Sequence, residues 1–215
     1  MARPAACLFD LDGLLLDTEP LHGLAWQAAA RHFGAELSDE QLLSLRGQRR
    51  HDCAELVRAL LPEPVSVEAL LAVRQPIAEQ LLGRSPAMPG AQALVERCHQ
   101  EGIPMALATS SAAASVALKA APHPWLSLIA ERVTGDDPDL QAGKPAPDVF
   151  LLASERLGVA AAEAWAFEDS VAGARAASAA GCRVFVLPPH NLPLANYPNG
   201  VECLAGLHEV ISRLS

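Results

Sequence analysis

Ala5-Ala6-Cys7-Leu8-Phe9 runs directly into Asp10-Leu11-Asp12-Gly13, and this junction decides how the whole chain is read. Five residues without a polar break fit a strand buried on both faces, as in a parallel sheet. Carboxylates at i and i+2 leave such a strand on the same side, so Asp10 and Asp12 can face one site. Gly13 lets the backbone turn sharply behind them. On these residues alone, a turn with capping aspartates is the competing reading, because Asp is common in turns.

The same grammar recurs down the chain. Residues 104–108 lead into Thr109-Ser110-Ser111, 164–167 into Glu168-Asp169-Ser170, and 184–187 into Pro188-Pro189. A weaker run lies at 126–133. Helical stretches sit between the runs: 91–100 stops at Gly102, 148–157 at Gly158 and 171–180 at Gly181. Glycine just past the last turn is a C-terminal helix signal. Strands alternating with helices predict βαβ units in an α/β, Rossmann-like parallel sheet, with ligands beyond the carboxyl ends of the strands.

From 17 to 86 the alternation stops, and four helices are predicted at 21–33, 39–45, 49–61 and 67–82. Ser38 and Gln41 have capping-box spacing. The expected organisation is therefore a core of residues 1–16 and 87–215 with an all-helical cap inserted at 17–86. Hinges fall near 17–20 and 85–90.

Composition narrows the class. Hydrophobic residues are 51% of the 215 and the net charge is −9, which fits a folded core and argues against a nucleic acid polymer or an anionic membrane as partner. Fourteen arginines stand against two lysines, Lys119 and Lys144. Cys7, Cys53, Cys98, Cys182 and Cys203 form no C-x-x-C pair, neither a disulfide framework nor a zinc pattern. With no apolar leader and no run long enough to span a bilayer, a monomer in the cytoplasm is expected.

The other strand-end clusters each have two readings. Glu168 and Asp169 either cap the next helix or, meeting Asp10 and Asp12, crowd four carboxyl groups around a hard divalent cation; oxygen ligands favour Mg²⁺. Thr109-Ser110 is a helix cap or part of an anion cradle. Lys144, in Gly143-Lys144-Pro145-Ala146-Pro147-Asp148, is a solvated loop residue or a point charge for phosphate.

Taken in order, Asp10-x-Asp12, Thr109, Lys144 and Glu168-Asp169 resemble the four motifs of the haloacid dehalogenase-like hydrolase superfamily, over essentially the whole chain. The resemblance implies Mg²⁺-dependent hydrolysis of a small phosphorylated metabolite, a sugar, nucleotide or polyol phosphate. Asp10 would be the nucleophile and form an aspartyl-phosphate, and Asp12 would be the general acid and then base. Asp10, the backbone carbonyl of Asp12 and Asp169 would hold the metal, with Glu168 as ligand or support. Lys144 and Thr109 would face the phosphoryl oxygens.

Within that superfamily the chain is similar to the small-helical-cap branch of pseudouridine-5′-phosphatases and β-phosphoglucomutases. The stretches carrying this are Met88-Pro89-Gly90-Ala91, residues 102–111, Gly135-Asp136-Asp137-Pro138 and Asn191-Leu192. A mutase has basic and amide groups after the hydroxyl motif, where this chain has Ala112-Ala113-Ala114. His22 and Leu45-Arg46-Gly47-Gln48-Arg49-Arg50 resemble a mutase cap instead. Arg46 and Arg50 either bind substrate in the closed cleft or form a solvated face. His22 reads as a surface helix residue, with substrate contact as the alternative; Ser111 touches substrate or caps its helix. A non-catalytic phosphate-binding protein on the same fold is the reading from another class.

Overall fold

The computed structural model describes residues 3–46, 48–189 and 192–214; Gly47, His190 and Asn191 lie outside the described residues. Six strands form one sheet: β1 (Ala6–Phe9), β2 (Met105–Ala108), β3 (Glu131–Val133), β4 (Ala164–Glu168), β5 (Arg183–Val186) and β6 (Glu202–Cys203). The order is β3-β2-β1-β4-β5-β6, and every pairing is parallel. Phe9 lies opposite Leu107 on β2 and Phe167 on β4. Asp10 therefore stands level with Glu168, with Thr109 one residue further along β2.

Alternation along the strands gives the sheet two unlike faces. Phe9, Leu107, Trp165, Phe167 and Phe185 point to one, where α5 (Ala91–Gln100) and α9 (His208–Ile211) cover them. Phe167 stacks between Phe9 and Phe185 at centroid distances of 5.0 and 5.2 Å. Each such pair adds about 0.5–1.5 kcal/mol beyond burial and fixes the strand ends beneath Asp10 and Glu168. The other face presents Ala6, Leu8, Ala106, Ala108 and Ala166 to α7 (Asp148–Arg156) and α8 (Val171–Ala179). Small side chains on sheet and helix let α8 sit close, with Ala174, Ala176 and Ala177 fully buried.

Among the described residues, the regular elements between β1 and α5 are all helices: α1 (Glu19–His32), α2 (Asp39–Ser44), α3 (Arg50–Arg58) and α4 (Val67–Leu82). They share an apolar cluster of their own that includes Trp26, Ala29, Leu45, Val57 and Leu70. The capping box at α2 forms as the spacing predicts: Ser38 Oγ accepts from the Gln41 N–H, and Gln41 Oε1 accepts from the Ser38 N–H.

Two differences from the sequence reading have simple causes. The 126–133 run is a strand only at Glu131–Val133, because Pro124–Leu128 forms a 3-10 turn first. The two-residue β6 and four-residue α9 are too short to carry a periodic signal. No described helix is long and apolar enough to cross a membrane.

Candidate active site

The carboxyl ends of β2, β1 and β4 lie side by side and bring Thr109, Asp10 with Asp12, and Glu168 with Asp169 to one edge of the sheet. From the loop before α7, Lys144 adds an ammonium 2.5 Å from Asp10 Oδ1 and 2.5 Å from Glu168 Oε1. All four charged groups, Asp10, Lys144, Glu168 and Asp169, are buried. Burial pushes the Asp10 carboxyl up to about 8; Lys144 pulls it down, and Glu168 and Asp12 push it up again. Lys144 moves up despite its burial, because Asp10 and Glu168 both favour the ammonium. One cation shared between two carboxylates does not neutralise both.

Glu168 and Asp169 differ in how they are satisfied. Glu168 Oε2 accepts from the Asp169 and Ser170 N–H groups and from the Ser170 hydroxyl, at 3.1–3.3 Å. Gly173 makes room for it, since a Cβ there would lie 1.9 Å from Glu168 Oε1. Asp169 has both carboxylate oxygens buried with no hydrogen-bond partner. Burial drives its carboxyl upward, and Glu19, Glu168 and Asp10 add to this while Arg46 opposes it. A buried, unpaired carboxylate is costly without a partner, and a cation is the partner this geometry admits. Asp10, Glu168 and Asp169 each offer an oxygen within 4.8 Å of the others, so an oxygen-ligated divalent ion fits the residues present.

Asp12 is turned away from that cluster. Its Oδ1 accepts from Thr18 Oγ1 at 2.6 Å, His22 Nε2 at 3.0 Å and Lys119 Nζ at 2.6 Å. Its Oδ2 accepts from Lys119 Nζ at 2.6 Å and Ser111 Oγ at 2.7 Å. Against the upward push of burial, Lys119 and His22 hold the Asp12 carboxyl well below the usual range. Arg74 Nη2 lies 2.8 Å from His22 Nδ1. Arginine only donates, so Nδ1 accepts and the proton on Nε2 points at Asp12. Arg74 itself is buried over the Trp26 ring, 4.6 Å from its centroid, and burial lowers it to about 10.

One cleft is lined by Asp10, Asp12, Thr109, Ser110, Ser111 and Asp169 from the sheet side, and by His22, Arg46, Arg50 and Arg74 from the helices. Arg46 is committed to Glu19 Oε2 at 2.8 Å, and Arg50 reaches Gln75 Oε1 at 3.0 Å. His22 corrects the surface-residue reading: its side chain is 19% exposed, because the polar flank of α1 that carries it faces Asp12 and not solvent. Ser111 neither caps α6 (Ala113–Ala120) nor leaves its hydroxyl open; Asp136 Oδ1 accepts from the Ala113 N–H there.

Lys119 and Arg74 were missed by reasoning from motifs. Their contacts span 107 and 52 residues of sequence, and neither has a local pattern around it. The available signal was scarcity: both lysines of the chain are buried in this site.

The fold is a Rossmann-like parallel α/β sheet with an acidic, lysine-bearing group at its carboxyl edge. Residues 4–181 match the model of the haloacid dehalogenase-like hydrolases, and the chain belongs to that family. It is 36% identical over 205 residues to a probable pseudouridine-5′-phosphatase of Drosophila melanogaster, covering 94% of this chain and 89% of that one. It is 32% identical over 180 residues to a fructose-1-phosphate phosphatase of Escherichia coli, covering 83% and 94%. Among solved structures, a putative β-phosphoglucomutase from Thermotoga maritima superposes with a TM-score of 0.73 at 26% identity, covering 97% of each chain. The chain is an enzyme of this group, a phosphoric monoester hydrolase.

Proposed function

We propose that the chain hydrolyses a small phosphate monoester through an aspartyl-phosphate on Asp10, with residues 17–86 acting as a cap over a core of 1–16 and 87–215. The observation that carries this is the buried group of Asp10, Glu168 and Asp169 with Lys144 between two of them and Asp169 unpartnered. Asp10 and Asp169, with Glu168 beside them and the carbonyl of Asp12, would hold Mg²⁺. Bound there, the ion supplies positive charge against the phosphoryl oxygens and relieves carboxylate repulsion.

The chain's own residues do the rest. An Asp10 carboxylate oxygen forms the new bond to phosphorus as the bond to the ester oxygen breaks. Asp12 gives the departing alkoxide its proton, then takes one from the water that cleaves the aspartyl-phosphate. Lys144 and Thr109 stand beside the phosphoryl oxygens, and Ser110 and Ser111 line the approach. Arg50, and Arg46 next to Glu19, face the leaving-group side from the helices.

A sugar, nucleotide or polyol phosphate fits a cleft of this polarity. The mutase reading draws on His22, Arg46 and Arg50 in the cleft; Ala112-Ala113-Ala114, without a basic or amide side chain, speaks against it. Phosphate release with and without Mg²⁺, over a panel of such monoesters plus β-glucose-1-phosphate with its bisphosphate, tests the proposal. Metal-dependent release on monoesters is expected. Isomerisation without release would make the chain a mutase, and silence throughout would revive the binding-protein reading.

A further inference from the structure

We infer that Lys119 is a positioning residue for the reaction, acting through Asp12 from beneath the cleft; the inference rests on the acid–base reading of Asp12 above. Lys119 lies in α6 and is fully buried, with its ammonium spent on Asp12 and Ser111. An ammonium has three N–H donors. Here they meet Asp12 Oδ1 at 2.6 Å, Asp12 Oδ2 at 2.6 Å and Ser111 Oγ at 2.7 Å. Ser111 Oγ donates in turn to Asp12 Oδ2 at 2.7 Å, closing a ring. Straddling both oxygens fixes the plane of the carboxylate as well as its place.

Stability alone does not explain this lysine. A buried ion pair is commonly matched or surpassed by an apolar residue of the same volume. The chain also uses arginine for fourteen of its sixteen Lys and Arg cations, and both exceptions stand behind the carboxylates of Asp10 and Asp12.

The geometry divides labour around Asp12. Five donor contacts reach a carboxylate that has about four lone-pair sites, so a reacting oxygen can engage it only when one donor lets go. Thr18 and His22 come from the start of the helical segment, whereas Lys119 and Ser111 belong to the sheet side. Lys119 keeps the carboxylate aimed while a donor from the helical side is exchanged for the leaving-group oxygen or the attacking water. The proton moves between Asp12 and that oxygen; Lys119 keeps its own.

The test is the leaving-group dependence of Lys119→Met. An alkyl phosphate needs a proton delivered to its leaving oxygen, whereas the nitrophenolate of p-nitrophenyl phosphate leaves without one. For K119M, kcat/KM should fall roughly 10- to 100-fold more for the best alkyl phosphate than for the aryl ester. This ratio is independent of the fraction of active enzyme, so partial misfolding does not imitate it. K119Q, which keeps one N–H donor in the same cavity, is the second variant and should retain more of the alkyl rate. Adding K119M to Asp12→Asn should produce no further selective loss. Equal losses on both esters in K119M and K119Q would overturn the positioning role. If D12N itself loses kcat/KM equally on both esters, the general-acid reading of Asp12 fails instead.

Discussion

At the scale of single residues, two carboxylates two positions apart meet opposite environments. Asp10 is buried against Lys144, Glu168 and Asp169, and burial raises its carboxyl to about 8. Asp12 is ringed by donors and held low. In the metal-free protein these environments hold a proton on Asp10 and keep one off Asp12, so metal and substrate must reverse both before Asp10 attacks and Asp12 donates. Asp10→Asn is expected to abolish turnover on every substrate while circular dichroism and thermal unfolding stay those of a folded protein. Retained activity in that variant would remove Asp10 from the nucleophile's place. Much of this level was legible. Asp10, Asp12, Thr109, Glu168 and Asp169 stand at or just past strand ends, where a parallel sheet converges its ligands, and Lys144 stands out as one of two lysines, in a glycine- and proline-flanked loop. Lys119, Arg74 and the inward face of His22 were not legible, since each is defined by a partner distant in sequence or by which flank of a helix is turned inward.

At the scale of elements, the site depends on close approaches that only small residues permit. Gly13 sits at φ 83° with Asp169 Oδ2 2.3 Å from where a Cβ would stand. Gly173 brings the first turn of α8 onto the Glu168 carboxylate. Gly173→Ala should therefore push Glu168 away from Lys144, costing about 1–3 kcal/mol of stability, the usual penalty of overpacking. It should also lower kcat at least tenfold, because Glu168 and the neighbouring Asp169 share one backbone turn. Calorimetry and steady-state kinetics on the same preparation would check both; an unchanged kcat would mean that Glu168 is dispensable. Sequence patterning located β1, β2, β4, β5 and the four helices between β1 and α5, because each is long or apolar enough to show its period. It missed β6 and α9, whose few residues are held by packing against β5 and α5.

At the scale of the molecule, the buried acid cluster ties stability to pH and to metal. Without a cation, the raised Asp10 and Asp169 hold protons in the folded state that unfolded carboxylates release near pH 4. Where the folded state binds more protons, stability falls as pH rises. The metal-free protein should therefore unfold at a lower temperature at pH 8 than at pH 6. Asp12 does not alter this window: its contribution is complete above the unfolded carboxylate range and is lost only as pH falls through it. Added Mg²⁺ should raise Tm more at pH 8 than at pH 6, since it displaces fewer protons there. A Tm in chelator that is flat or rises from pH 6 to pH 8 would contradict the arrangement.

A covalent phosphoryl group carried on Asp10 is open to mass spectrometry of acid-quenched enzyme during turnover with Mg²⁺ and the best monoester. A phosphate adduct is expected on the peptide bearing Asp10, absent in chelator and in Asp10→Asn. Sustained metal-dependent turnover with no adduct, together with an active Asp10→Asn variant, would contradict it.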